Sequence, residues 1–527
     1  MQTNPSLPKS DWQLPSVWFF VLVVLILLLG IVFRLINLGD KVYWFDEVFT
    51  SLRIFGHTFS DAYQAIYSPS GVEAQALQTF QTYDPNKPLS ATIQGLAQSE
   101  PQLTPLYFIL ARFWAIEFGD SVATIRSLSA VVNLFIFPAF YWLCNELFKS
   151  PVMAWMGVAL MAVSPFHVLY AQEARPYSLW AVSIVLMSAA LLWAIRIKTR
   201  VGWAIYAIAL ALSLYSFLLS VLVAIGHGIY VIGTERFRIT PNLISYFLAS
   251  FAGCLLFVPW VFVILTNAQA TDSVTGWTQE SIGFLPLVKI WILNLNRVFL
   301  DVDFGLSNPL TYLIVPITVL SLYSMYYVCR YAPLRVWLFI LTLIAVTALV
   351  LTLPDLVFGG RRSTATRYFV PCFIGIQLAM TYLLSQKAFV HSIPVKWQRG
   401  WQVVVCLVLC VGVVSCLISS QEQAWWNKYN NQENIPIAQV INQASNPLII
   451  SDKSPANFIS LSYSLKADVR LKGMNPADEM NMATRLNGVD SIFLVNPSRD
   501  LKRKFQQNYE LEQVYKGRYQ QLWKLLD

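Results

Sequence analysis

Apolar residues in this chain gather into runs of about 17 to 25 positions with almost no charge, the length a helix needs to cross a hydrocarbon core about 30 Å thick. Such runs fall at 17–38, 124–147, 152–171, 177–195, 202–215, 217–233, 243–266, 308–328, 335–353, 369–386 and 400–420. The stretch 202–233 is long for one span and is broken by Ser213, Tyr215, Ser216 and Ser220, so it reads as two short helices. Two further apolar stretches do not read as spans. Pro105 to Phe118 is about 14 residues, a length typical of interfacial or re-entrant segments, and 284–300 is interrupted by Lys289, Asn294, Asn296 and Arg297. The first run, Val17 to Phe33, lacks a small-residue cleavage site before its polar exit at Asn37 to Lys41, and reads as a retained span rather than a signal peptide.

From residue 421 the pattern changes. Strand-like 447–452, 469–473 and 491–496 alternate with helix-like 455–466 and 499–508, predicting a small α/β domain. The expected organisation is a tail at 1–16, a membrane domain at 17–420 with a loop at 39–123, and a C-terminal domain at 421–527. The expected fold class is an all-α polytopic membrane protein of about eleven transmembrane helices with that α/β appendage.

Composition agrees, with 56% hydrophobic and only 13% charged residues against roughly 25% charged in a soluble domain. The net charge of +8 first reports topology in a membrane protein, not nucleic-acid binding. With the N-terminus cytoplasmic, the turns carrying Lys149, then Arg196, Lys198 and Arg200, then Arg236 and Arg238, then Arg330 and Arg335, then Lys387, Lys396 and Arg399 all fall inside. The expected location is the cell's inner (plasma) membrane, with the 39–123 loop and the C-terminal domain extracytoplasmic. The seven cysteines lie in or beside apolar runs and read as packing residues. There is no GxxxxGK[ST] loop for ATP-driven transport, and no internal repeat.

Charges on the outer side of this map stand out, because charge at membrane depth is costly and tends to mark function. Tyr43-Trp44-Phe45-Asp46-Glu47 places two carboxylates just beyond the first span. They suit either catalysis or charge pairing at a helix N-terminus. If 46–56 is helical, Asp46, Thr50 and Arg53 share a face. Gln172-Glu173-Ala174-Arg175-Pro176-Tyr177 sits between two spans, as a functional turn or as a surface ion pair. Gly359-Gly360-Arg361-Arg362-Ser363-Thr364-Ala365-Thr366-Arg367-Tyr368 carries three arginines against the inside bias. A phosphate is their natural partner, since guanidinium binds it bidentately, with lipid-headgroup contact or a misplaced span as the alternatives. Glu100, in a Pro-bounded loop leading into 105–118, reads either as facing the same cavity or as a solvated loop acid. Tyr43, Trp44 and Tyr177 suit either sugar stacking or an interfacial belt. His57, His167, His227 and His391 show no metal-ligand spacing, so no metal is expected to be required.

The order of these motifs resembles a known family. An acidic pair after the first span, Pro105-Leu106-Tyr107, Ser164-Pro165-Phe166-His167 followed by Tyr170-x-Gln172-Glu173-Ala174-Arg175-x-Tyr177-Ser178, and Arg367-Tyr368-Phe369-x-Pro371 look like the membrane glycosyltransferases of the C-type fold. The nearest branch resembles the bacterial relatives of protein O-mannosyltransferases and of the lipid A aminoarabinose transferase. The resemblance spans about residues 15 to 385. It implies inverting transfer from a polyprenyl-phosphate sugar donor to a lipid, glycan or protein acceptor, with no cofactor required. It also implies Asp46 as the catalytic base with Glu47 beside it, and Arg175 and Arg367 on the carrier phosphate, with Arg361, Arg362 and Arg53 as further candidates and Glu173, Tyr177, Glu100 and Tyr368 in support. The chain departs from the pattern where many relatives have a basic residue or histidine before Pro-Leu-Tyr, since Leu103 and Thr104 stand there. A transporter or lipid flippase with an outer lipid-phosphate site is the alternative, and a receptor or assembly role for the C-terminal domain a third. Transporters usually bind at the midplane of repeated halves, and neither feature is visible here.

Overall fold

The computed structural model describes residues 17–390, 394–477 and 489–526, without the side chains of 272–274. The expected tail at 1–16, and His391, lie outside the described residues. Among the described residues, eight helices are long and apolar enough to cross a membrane, or nine if the bent pair Pro151–Ala162 and Pro165–Ala171 is one span. The expected count of about eleven also includes Arg200–Ser216 and Ser220–Thr234, which are 17 and 15 residues long and short for a span. They are separate helices, as the polar step at Ser213 to Ser220 predicts. The expected non-spanning segments form 13-residue helices, Leu106–Phe118 and Phe284–Asn296.

The chain divides into two compact units, one comprising residues up to Ile36, Ala97–Tyr107 and Ser129–Ser420. Within it, the bent pair turns by 60° at Val163 and Ser164, where Pro165 begins the second helix. Proline has no N–H to donate, so the break leaves carbonyls of the first helix without helical partners. Arg34, fully buried in the first span, supplies donors. Its Nη1 donates to Ala162 O at 2.7 Å and to Gly30 O at 2.8 Å, its Nη2 to Met161 O at 3.1 Å, and its Nε to Asn133 Oδ1 at 2.7 Å. The first span approaches the break closely because residue 30 is glycine: a Cβ there would lie 2.6 Å from Ala162 O. Gly412 does the same at Val163 O, also 2.6 Å away. The second half of the pair is held by Ser164 Oγ donating to Val298 O at 2.6 Å and Phe166 N–H donating to Arg297 O at 3.2 Å.

The second unit gathers Asn37–Leu96, Phe108–Leu128 and the chain from Gln421 onward. It therefore draws its boundary differently from the expected domains, in which 421–527 stands apart from the 39–123 loop. The strands β1 (Val72–Glu73), β2 (Pro447–Ser451), β3 (Arg470–Gly473), β4 (Ser491–Val495), β5 (Glu510–Lys516) and β6 (Gln521–Leu526) form one sheet in the order β1-β3-β2-β4-β6-β5. The sequence pattern predicts β2, β3 and β4, and the helices Pro455–Ser462 and Arg499–Gln506 that follow β2 and β4. It gives no sign of β1, a two-residue strand that pairs antiparallel with β3 through Val72 opposite Leu471. Strands β2, β3 and β4 are parallel, and every residue of β2 is buried, as expected of a central strand covered on both faces.

Alternation along β2 builds two cores. Ile449 packs with Leu471, Phe493 and Ile459 on one face, and the same core takes Val48 and Leu52 from the helix Phe45–Ile54. Leu448 and Ile450 point the other way, to Leu494, Leu501 and Phe505. The acidic helix after the first span is thus seated in the core of the sheet-bearing unit by its i, i+4 apolar pair.

Lys41, in this unit, donates from Nζ to Glu422 O at 2.8 Å and lies 4.6 Å from the centre of the Trp425 ring. Burial, helped by the positive charge of Arg126, lowers its pKa to about 8 from 10.5. Between about pH 8 and pH 10.5 the unfolded chain binds more protons at this group than the folded one, so its contribution to stability rises with pH across that window and is least favourable below it. In a Lys41→Met variant, the pH dependence of thermal unfolding between about pH 8 and pH 10.5 is expected to flatten. An unchanged profile would remove the role assigned to burial. Arg34→Met keeps much of the side-chain length but removes every donor, and a buried acceptor left without a partner costs about 1 to 3 kcal/mol. The expected result is a loss of several degrees in unfolding temperature in detergent, and an unshifted midpoint would show that Arg34 does not stabilise the break.

Candidate active site

The acidic helix Phe45–Ile54 begins at Trp44, whose N–H is capped by Glu47 Oε2 at 3.1 Å. The same carboxylate meets Arg126: Nε donates to Oε1 at 2.8 Å and Nη2 to Oε2 at 2.7 Å, both side chains almost fully buried at 3% and 1% exposure. Arg126 also donates to the backbone carbonyls of Leu38 and Val42 at 2.8 and 2.9 Å and of Lys41 at 3.0 Å. The guanidinium therefore fixes the chain between the first span and the acidic helix as well as the helix start. Tyr43 adds to this mooring, its hydroxyl lying within hydrogen-bond reach of two acceptors, Gln81 Oε1 at 2.9 Å and Glu47 O at 3.1 Å, and in hydrogen-bond contact with Ser51. Trp44, expected at a sugar or an interfacial belt, is buried with Lys428 Nζ 3.3 Å from its ring centre.

The two adjacent carboxylates are thus placed very differently. Glu47 is held in a structural ion pair, whereas Asp46 is half-buried in the first turn, where the helix N-terminus favours an anion. Thr50 and Arg53 are both buried, and Arg53 donates to His57 O at 3.5 Å. Arg112 donates to Ile54 O at 2.7 Å, fixing the other end of the helix. His57 contacts Lys87 Nζ through Nδ1 at 3.2 Å, and burial followed by the Lys87 charge lowers its pKa below the usual 6.5.

The arginines at 175, 361, 362 and 367 belong to the other unit, as do Glu100, Glu173, Tyr177 and Tyr368. Gly359 and Gly360 have φ values of +76° and +138°, which side chains rarely adopt, and a Cβ at Gly360 would lie 2.7 Å from both Asp355 Oδ1 and Arg362 Nη1. The loop they open is braced by the helix Phe284–Asn296, through Trp291 Nε1 donating to Ser363 Oγ at 3.0 Å and Thr366 Oγ1 donating to Asn294 Oδ1 at 2.8 Å.

Protein carboxylates meet Arg362 and Arg361 in different ways. Arg362 pairs with Asp355 at 3.2 Å, and that fully buried carboxylate also accepts from the Ser363 N–H and Oγ, both at 2.7 Å. Arg361 pairs with Glu280 at 2.8 Å, but this carboxylate is 63% exposed, so the pair is worth little and is readily exchanged. Arg361 and Arg367 both lie against the Trp277 ring, at 5.7 and 5.9 Å from its centre.

Arg175 is buried 5.7 Å from the Tyr177 ring centre, and Arg367 lies 5.4 Å from that of Tyr368. Phe217 links the two tyrosines, with centroid distances of 5.7 Å to Tyr177 and 6.1 Å to Tyr368. Two distant motifs are therefore joined by an aromatic chain with an arginine at each end. Glu173 is buried beside Arg175, its carbonyl accepting the Arg175 N–H at 2.8 Å. Glu100 is half-buried after the helix Leu89–Ser99, its carbonyl accepting from Leu103 N–H at 2.9 Å.

Sequence reasoning missed Arg126, Asp355, Trp277 and Phe217. The first two carried a signal, a charge at the edge of an apolar run, whereas the aromatics are indistinguishable from ordinary membrane-facing residues until the fold places them.

No protein-family model and no curated protein matches the chain. Solved structures do. ArnT from Cupriavidus metallidurans bound to undecaprenyl phosphate aligns with a TM-score of 0.53 at 13% identity, covering 97% of this chain and 98% of that one. ArnT in the apo state aligns at 0.53 and 12% identity, over 96% and 97% of the two chains. The apo oligosaccharyltransferase of Archaeoglobus fulgidus aligns at 0.50 and 11% identity, over 91% and 70%. At such identities the likeness speaks for the fold, and it runs through the sheet-bearing C-terminal region as well as the spans. The chain has the C-type glycosyltransferase fold.

Proposed function

We propose that this protein is a glycosyltransferase that moves a sugar from a polyprenyl-phosphate-linked donor to an acceptor at the outer face of the cytoplasmic membrane, with inversion at the anomeric carbon. The observation that carries the reading is the fold match over nearly the whole chain to a transferase bound to undecaprenyl phosphate. The placement of Asp46 and Glu47 on a helix fixed at both ends supports it. The proposed orientation has a cytoplasmic N-terminus, as the distribution of basic turns favours.

Direct displacement at the anomeric carbon needs a base for the acceptor proton and a partner for the leaving phosphate. Asp46 is the proposed base. Glu47, bound by Arg126, is reassigned from catalysis to positioning, because proton transfer from an acceptor would cost it that ion pair. Arg175 and Arg367 are the proposed phosphate-binding groups. Arg361 is a secondary one, able to exchange its exposed partner Glu280. Arg362 is assigned to holding the loop through Asp355. No cofactor or metal is proposed as required, since guanidinium groups supply the positive charge.

Transfer of radiolabel from a polyprenyl-phosphate sugar in membranes tests the reading. Asp46→Asn is expected to lower kcat by about 10² to 10⁴-fold, the usual range for loss of a general base. Near-normal turnover would rule out Asp46 as the base. Arg367→Ala is expected to raise the KM for the donor at least about tenfold, the loss of one charge-assisted contact of about 1.4 kcal/mol or more. Arg362→Ala is expected to lower thermal stability first. Equal KM effects from the two would undo the division of labour between them.

A further inference from the structure

The sheet-bearing unit contains a crevice whose lining includes none of the residues assigned to the transfer reaction. Its origin is topological. The parallel part of the sheet begins at β2, next adds β3 on one side of it, and then returns to add β4 on the other. The helix after β2, Pro455–Ser462, packs in the core on the Ile449 face, and the helix after β4, Arg499–Gln506, in the core on the Leu448 and Ile450 face. Where two parallel strands send their connections to opposite faces, nothing covers the gap beyond their C-terminal ends, and ligands of open α/β sheets bind there. A cavity of about 550 Å³ occupies this place, lined by Ser451 at the end of β2, Val495 and Asn496 at the end of β4, and the starts of both helices. That volume lies within the roughly 300 to 1,000 Å³ of small-molecule sites.

The lining has a definite chemistry. It contains Lys453, Arg499 and Lys502 and no acidic side chain. Asp452, nearby, is occupied by the Ser498 N–H, which donates to it at 3.1 Å. Ser498 Oγ in turn accepts the Leu501 N–H at 3.1 Å, so the helix Arg499–Gln506 begins at the cavity and adds the positive end of its dipole to Lys453 and Arg499, while Lys502 Nζ lies 3.3 Å from the centre of the Trp523 ring. Asn430 and Asn457 supply amides. Tyr429 and Tyr519 also line it, at 49% and 45% exposure, with ring centroids 6.2 Å apart and planes tilted by 50°. Large aromatic rings left open to solvent beside amides suit the apolar faces and hydroxyls of a sugar, and the cations set the sign of its substituent.

We propose that the crevice beyond β2 and β4 binds an anionic saccharide, a sugar bearing a phosphate or carboxylate group. The proposal does not rest on the transferase reading, and its failure would leave that reading standing. The test uses the full-length protein in nanodiscs, with calorimetric titration of glucose 1-phosphate, glucuronate, glucose, inorganic phosphate and UMP. Saturable binding of the two anionic sugars is expected, at least about tenfold tighter than glucose or phosphate alone, each of which lacks half of the recognised chemistry. The double charge reversal Lys453→Glu with Arg499→Glu, at two exposed positions, is expected to weaken it at least about tenfold. If that variant does not fold, Tyr519→Ala replaces it, with an expected loss of several-fold. Adding glucuronosyl diacylglycerol to the nanodiscs separates the sources: competition with glucuronate assigns a lipid-borne sugar and its absence a free one. The proposal is overturned if neither anionic sugar binds, if the variants bind as tightly as the native chain, or if UMP binds as tightly as glucose 1-phosphate.

Discussion

The buried ion pair between Glu47 and Arg126 sets the form of the segment 38–47 in the sheet-bearing unit. Taking two charges out of water is expensive, and the cost is offset only where geometry is good and the remaining hydrogen-bonding capacity is used. Here the pair is bidentate, and the guanidinium reaches three backbone carbonyls of the segment 38–42 while the carboxylate caps Trp44. Loss of either partner would leave a charge buried and the turn unsupported. The position of Asp46, one residue before Glu47, follows from this anchor and from Val48 and Leu52 in the core.

The same device recurs inside the first unit, where Arg34 meets Ala162 and Met161 at the break before Pro165. A broken helix at membrane depth is tolerated only where its freed backbone groups find partners in the protein. An arginine suits that task because its planar fork reaches several carbonyls at once. Gly30 and Gly412 serve the same end by letting neighbouring helices come close to the break. In both units a guanidinium holds irregular backbone near the sequence motifs, and these two arginines are structural rather than phosphate ligands.

That distinction also orders the arginines of the proposed phosphate site. Charge alone makes Arg361, Arg362 and Arg367 equivalent. Burial of Asp355 commits Arg362, exposure of Glu280 leaves Arg361 exchangeable, and Trp277 gathers Arg361 and Arg367 on one ring. The aromatic chain Tyr177, Phe217 and Tyr368 joins the Arg175 and Arg367 motifs, which lie far apart in sequence.

Much of the fold was legible because the membrane imposes a simple rule: a span must be long, apolar and helical, and the runs from 17 to 420 declare themselves by length. The split of 202–233 and the β2, β3 and β4 strands were readable from polar interruptions and alternation, and the shortness of the 106–118 helix from the length of its apolar run. Candidate motifs were readable too, since charges at the edges of apolar runs are conspicuous. What only the tertiary structure decided was which partners those charges meet. Glu47 finds Arg126 79 positions away, Arg361 finds Glu280 81 positions away, and Val72 pairs with Leu471 399 positions away. No local pattern encodes such pairings, because hydrophobic periodicity records only how a segment faces its surroundings. Whether a buried charge is a catalyst or a clasp depends on what the folded chain brings against it.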